Sequence, residues 1–100
     1  MSSAAFYSAF IKSLEGAAPA PNLTAALKAL WWDGKGDWKR AHDILQEDGD
    51  ESQSHVHAYL HRKEGEDWNA RYWYAQAGEP YYNGTLESEW QTLVERYLKA

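Results

Sequence analysis

Several features that would point to a particular class of protein are missing from this sequence. It has no cysteine, which excludes disulfide bonds and thiolate metal ligands. No apolar run approaches the ~20 residues that a membrane-spanning helix needs, and the first residues lack the basic and apolar pattern of a secretory signal. We therefore expect a cytoplasmic protein that does not associate with a membrane.

Basic residues are also scarce. Lysine and arginine total 10 against 15 aspartates and glutamates, so the net charge of -5 gives the chain little attraction for a phosphate backbone. The sequence has neither a G-x-S-x-G segment nor a glycine-rich phosphate loop. We predict no nucleic-acid partner and no cofactor, assign no catalytic residue, and favour a protein that is not an enzyme.

Aromatic side chains are abundant. Phe, Trp and Tyr make up 15% of the 100 residues, enough to build one hydrophobic core in a single domain over residues 1–100. No alternating strand pattern of useful length occurs, and the helical periodicity predicts an all-α bundle. The six predicted helices are Ala4–Glu15, Leu23–Asp33, Trp38–Glu47, Gln53–Glu64, Asp67–Ala77 and Leu86–Lys99.

Capping and loop residues between these segments support the predicted helix boundaries. Asn22, Asp37 and Thr85 are the predicted N-caps, because short polar side chains accept hydrogen bonds from the free N–H groups of a first turn. The segment QEDGDESQS, residues 46–54, is predicted to be a solvated acidic loop between the third and fourth helices.

The second to fifth helices form two similar units. A shift of 29 positions aligns Ala29 with Ala58, Gly36 with Gly65, and Ala41 with Ala70. Two helices can approach to ~8–10 Å only where their contacting side chains are small, and glycine adopts a left-handed turn conformation at little cost. We predict antiparallel hairpins over about residues 22–49 and 52–80, covered by the terminal helices over about residues 4–15 and 86–99.

This pattern resembles the tetratricopeptide repeat. The matching small, glycine and large positions are Ala29, Trp32, Gly36, Ala41 and Leu45 in the first unit, and Ala58, Gly65, Ala70, Tyr74 and Ala77 in the second. The period is shorter than that family's, Asp48 stands where a small residue is expected, and Pro80 comes early. The segment HAYLHRKEGEDWNARYWYAQAG is also similar to a signature of small uncharacterised bacterial and fungal proteins.

The resemblance implies a groove that binds protein segments. Its lining would comprise His55, Tyr59, Arg62, Lys63 and Tyr72, with His55 exposed and Arg62 able to hold a carboxylate through two parallel hydrogen bonds. The leading hypothesis is a helical-repeat interaction module that binds a protein or peptide, or a second copy of itself. The alternative for the two cations is surface ion pairing of Arg62 with Glu66 and of Lys63 with Asp67.

A second hypothesis is a small-ligand or metal-binding protein, perhaps an enzyme. His57 and His61 are four residues apart, and Glu64 follows three positions later, so one helix face can carry all three. His42 lies on the helix expected to pack against that face, and Asn69 points into the same region or satisfies a backbone group. His42, His57 and His61 are weak candidates for zinc ligands; we favour a packing role for them.

The fifth predicted helix carries aromatic residues on nearly every side. These are Trp68, Tyr72, Trp73 and Tyr74. A helix that is apolar all round is typical of the centre of a bundle or of a subunit interface. We therefore predict core or subunit packing for this helix, with a homodimer through the fifth or sixth helix as one outcome.

Overall fold

All regular structure in the described part of the chain is helical. The computed structural model describes residues 3–99. Its helices are α1 (Ser3–Ser13), α2 (Ala25–Gly34), α3 (Trp38–Ile44), α4 (Glu51–Lys63), α5 (Asp67–Ala77) and α6 (Leu86–Lys99). The prediction of an all-α bundle is confirmed, and the Cα radius of gyration of 12.6 Å is close to the ~13 Å of a compact chain of this length.

Two of the predicted N-caps are present. The Asp37 carboxylate accepts a hydrogen bond from the N–H of Arg40 at 3.0 Å at the start of α3. The Thr85 hydroxyl accepts one from the N–H of Ser88, also at 3.0 Å, at the start of α6. Each satisfies a backbone donor that has no partner within its own helix.

Helices α2 and α3 differ from their predicted extents. The hydroxyl of Thr24, rather than the side chain of Asn22, accepts from the N–H of Leu27, and α2 therefore begins at Ala25. At its other end, α3 stops at Ile44, three residues before the predicted end, because the next residue is extended.

The predicted acidic loop is only partly a loop. The Asp50 carboxylate accepts a hydrogen bond from the N–H of Gln53 at 3.1 Å, so α4 begins at Glu51 and includes the second half of that segment. Asp50, one of the acidic residues that suggested solvent exposure, therefore caps a helix.

The glycine turns and buried alanines agree with the predicted hairpins. Gly36 and Gly65 have φ of 85° and 77°, the left-handed conformation expected at these reversals. Helix α2 packs on α3, and α4 packs on α5. The four small residues at the expected contacts are each 0% exposed: Ala29, Ala41, Ala58 and Ala70. Whether the two hairpins stack as tetratricopeptide repeats do stays a prediction.

Gly65 offers a test of the turn in isolation. Replacing Gly65 with alanine should lower the free energy of unfolding by about 1–2 kcal/mol, because a Cβ atom disfavours the left-handed backbone. That Cβ would meet no described atom within 4 Å, so steric clash adds nothing. Urea unfolding followed by circular dichroism measures the change. Gly65→Asn, which tolerates this conformation better, should lose less; equal stability of Gly65→Ala and the unaltered chain would contradict the assignment.

Helix α4 lies at the centre of the bundle. It packs against α2, α3, α5 and α6, whereas α1 packs on α6 at one side. The main core includes Trp31 and Leu60, both 0% exposed, and Leu93 at 1%. Because neighbours surround α4, its polar residues as well as its apolar ones are buried.

Helix α5 lies at the edge of the bundle, so it does not have the central position that one of the two alternatives predicted; packing at a subunit interface stays a prediction. It packs mainly against α4, through the face that carries Ala70, Tyr74 and Ala77, and the Tyr74 hydroxyl also donates to Glu89 of α6. Its other faces point outward, and Trp68 is 81% and Tyr72 48% exposed. The count of aromatic residues did not reveal how many neighbours the helix has.

Candidate metal centre

Three histidines converge between α3 and α4. His57 and His61 lie one turn apart on α4, and α3, which packs against α4, supplies His42. The Nε2 atoms of His42 and His57 are 3.2 Å apart. One ring nitrogen from each of the three residues lies within 4.8 Å of the others. The sequence suggested this grouping, and the structure brings the three rings together.

Two tryptophans hold the rings in place. Trp38 stacks on His42 with ring centroids 4.9 Å apart and planes 8° apart. Trp73 stacks on His57 at 4.1 Å and 16°. The Trp38 indole N–H also donates to the carbonyl of Leu60 at 2.9 Å, which fixes Trp38 against α4. Packing on both sides keeps the imidazoles pointing toward each other.

A carboxylate orients the third histidine. Glu66 Oε1 lies 2.8 Å from Nδ1 of His61, a contact that sets the orientation of the imidazole ring. The predicted carboxylate, Glu64, is instead the exposed C-terminal cap residue of α4. Sequence spacing did not identify Glu66, because its position depends on the turn at Gly65. The left-handed Gly65 returns the chain toward α4, and the N–H of Glu66 donates to the carbonyl of His61 at 2.9 Å.

Burial keeps two of these rings uncharged. Burial, together with the smaller effects of the nearby His42 and His61, lowers the pKa of His57 from 6.5 to about 4. Burial, followed by the charge of His61, also lowers the pKa of His42. Nδ1 of His57 is buried and has no hydrogen-bond partner among residues 3–99. An unpaired buried polar atom is unfavourable and is often found at functional sites.

The cluster opens into a cleft of about 650 Å³. Its other lining residues are Asp43, Leu45, Glu47, Asn69, Tyr72 and Trp73. Asn69, which sequence reasoning placed either in a polar pocket or at a backbone group, is exposed and lines this cleft. The histidines therefore form one wall of an accessible cavity.

The distance between two of the three histidines fits a tetrahedral metal ion. Two imidazole nitrogens bound at ~2.0–2.1 Å to such an ion are about 3.3 Å apart, and the Nε2 atoms of His42 and His57 are 3.2 Å apart. The ring nitrogens of the three residues lie within 4.8 Å of one another, so a His61 movement of up to about 1.5 Å would complete a set of three nitrogen ligands. The hydrogen bond between His61 and Glu66 is the carboxylate–histidine pair that commonly supports metal ligands.

The predicted binding groove is not an open surface. His55, expected to be exposed, is 8% exposed and hydrogen-bonded through Nδ1 to the Tyr97 hydroxyl at 2.7 Å. Tyr59 is 2% exposed and donates to Asp33 Oδ2 at 2.6 Å. Both lie on the central helix α4, whose faces are covered by four other helices. Of the five groove residues Lys63 and Tyr72 are exposed, and Tyr72 lines the histidine cleft instead.

The two cations of that groove form different ion pairs from those predicted. Arg62 Nε donates to Glu89 at 2.9 Å, and Lys63 Nζ donates to Asp33 at 2.9 Å. Glu89 and Asp33 are 1% and 4% exposed. Both buried acids were missed, because their partners are distant in sequence and no local spacing reveals them. Arg62 and Lys63 thus connect α4 to α6 and α2.

None of the helices within residues 3–99 combines the length and apolar composition needed to cross a membrane. Comparisons with models of protein families, with curated proteins and with solved structures found no match to this chain.

Proposed function

We propose that this protein binds a divalent transition-metal ion through His42, His57 and His61. The observation that carries the proposal is the convergence of three imidazole nitrogens to within 4.8 Å of one another. A single ion shared by the three rings would replace the close nitrogen–nitrogen contact between His42 and His57 with two coordinate bonds. The interaction module predicted from the sequence is less well supported, because His55 and Tyr59 are buried and Arg62 and Lys63 pair with acids of the same chain.

The donor set indicates which ions are suitable. Three imidazole nitrogens favour Zn²⁺, Cu²⁺, Ni²⁺ or Co²⁺, whereas Mg²⁺ and Ca²⁺ prefer oxygen ligands. Structural zinc sites are closed by four protein ligands, and catalytic ones keep a position open for water or substrate. With three protein ligands beside a cleft of about 650 Å³, this site supports binding of a further molecule at the metal.

Titration with Zn²⁺ in a calorimeter tests the proposal. The unaltered chain should bind a single ion per molecule. His42→Gln should weaken binding by more than ~100-fold, because a ligand is lost. His42 is only half-buried, so this variant should remain folded. Glu66→Ala should weaken binding by about 10–100-fold, since it removes the group that orients His61.

His55→Gln is the matched control. It removes a histidine from the same helix as His57, but His55 contacts Tyr97 and lies outside the cluster. Its zinc affinity should equal that of the unaltered chain, with circular dichroism used to establish that every variant is folded. Equal affinity of His42→Gln and the unaltered chain, or no binding by either, would overturn the proposal.

A further inference from the structure

The mouth of the histidine cleft is acidic. Asp43 and Glu47 line it and are exposed, and no lysine or arginine is among the lining residues of the described chain. Asp43 pairs with Lys39 at 3.0 Å. The side chains of Lys39 and Asp43 are 83% and 58% exposed, so water screens the attraction and Lys39 neutralises Asp43 only in part. Glu47 forms no ion pair or hydrogen bond within residues 3–99. A molecule approaching the histidines therefore passes negative charge.

Another part of the cleft lining is aromatic. Tyr72 packs edge-to-face on Trp73, with centroids 5.2 Å apart and planes 87° apart. Tyr72 is 48% exposed, so one ring surface stays available to a bound molecule. Asn69 adds an exposed carboxamide that can donate or accept a hydrogen bond. This wall suits a flat ring better than a compact ion.

These two features select among ligands for a metal held by the histidines. Small anions are common ligands of divalent metals, but here the carboxylates of Asp43 and Glu47 oppose their approach. An uncharged nitrogen heterocycle avoids that repulsion and can contact Tyr72 while its lone pair reaches the ion. Imidazole also matches the preference of Zn²⁺, Co²⁺ and Cu²⁺ for nitrogen donors.

We propose that the open coordination position takes an uncharged, planar nitrogen donor of the imidazole type in preference to an anion. This inference rests on the proposed metal binding. Free azoles and the histidine side chain of a peptide share this chemistry. The acidic mouth sets the preference by charge, and the aromatic wall sets it by shape.

The Co²⁺-loaded protein provides the test, because its visible absorption changes when a fourth ligand is exchanged. Imidazole and azide are titrated separately at about pH 8, where imidazole is uncharged, and at constant ionic strength. We expect imidazole to bind at least ~5-fold more tightly than azide. The double variant Asp43→Asn/Glu47→Gln should bind azide about 5-fold more tightly than the unaltered protein, with imidazole affinity unchanged.

A charge-matched control separates local from overall electrostatics. Glu15→Gln/Glu87→Gln changes the net charge by the same amount, but these exposed residues are not part of the cleft lining. Its azide affinity should stay at the unaltered value. A further titration uses a short peptide that contains one histidine. If this peptide binds more tightly than free imidazole, a peptide is the source of the nitrogen donor; if it binds more weakly, a free azole is the source.

The outcomes distinguish this inference from the proposed function. Absence of the Co²⁺ spectrum from the unaltered chain, together with no Zn²⁺ binding in the calorimeter, would overturn metal binding itself. A normal Co²⁺ spectrum with azide affinity equal to that of imidazole would overturn only the ligand preference. The same holds if imidazole leaves the spectrum unchanged, or if the cleft and control variants bind azide equally.

Discussion

Replacing Glu89 with alanine should lower the free energy of unfolding by about 3–5 kcal/mol. Glu89 is 1% exposed, accepts from Arg62 Nε at 2.9 Å and also accepts from the Tyr74 hydroxyl. Its loss would leave a guanidinium whose side chain is 15% exposed without its counter-ion, and a buried hydroxyl without its acceptor. Breaking one side of a buried ion pair is more damaging than removing both partners, because the remaining charge stays desolvated.

Urea unfolding at neutral pH measures this loss, with Glu87→Ala as the matched control. Glu87 lies two residues earlier on α6 and is exposed, so its removal should change the stability by less than ~0.5 kcal/mol. Comparable losses in the two variants would show that the network of Arg62, Tyr74 and Glu89 does not stabilise the bundle.

Acidification should strongly destabilise the metal-free protein between about pH 6.5 and pH 4. Burial lowers the pKa of both His55 and His57 from 6.5 to about 4. Above pH 6.5 these histidines are uncharged in the folded and unfolded chain, so they cause no pH dependence. As the pH falls from 6.5 to 4, the unfolded chain takes up their protons first, which favours unfolding by about 2–3 kcal/mol for each.

The measurement is the free energy of unfolding in urea at several pH values, with a chelator present throughout. His55→Gln should lose less free energy of unfolding over this pH range, because His57 would then be the single contributor of these two histidines. Below pH 4 both states bind these protons and the histidine contribution levels off. A constant free energy of unfolding between pH 7 and pH 5 would show that the two rings are accessible to protons in the folded chain.

Local features of the fold could be predicted because they depend on neighbouring residues. Asp37 and Thr85 cap helices in the way that their side chains allow, and Gly36 and Gly65 form turns that glycine favours. The same locality explains the errors. Asn22 and Thr24 are both acceptable caps, and only the packing of α2 decides between them.

The histidine cluster was partly predictable for the same reason. A spacing of four residues places His57 and His61 on one helix face whatever surrounds it. The contribution of Glu66 depends on the turn at Gly65, whose direction sequence spacing alone did not reveal. The partner of the buried His55 is still more remote, because Tyr97 lies on α6.

The sequence by itself determined the helices, the glycine reversals and the alanines that let neighbouring helices approach, because helix periodicity, capping and side-chain size act over a few residues. Only the tertiary structure decided that α4 is central and α5 peripheral, because the number of neighbours around a helix depends on contacts between distant segments. Because α4 is central, its residues His55 and Tyr59 are buried and its Arg62 pairs with Glu89 of α6. Because α5 is peripheral, its residue Tyr72 lies beside a cleft lined by three histidines.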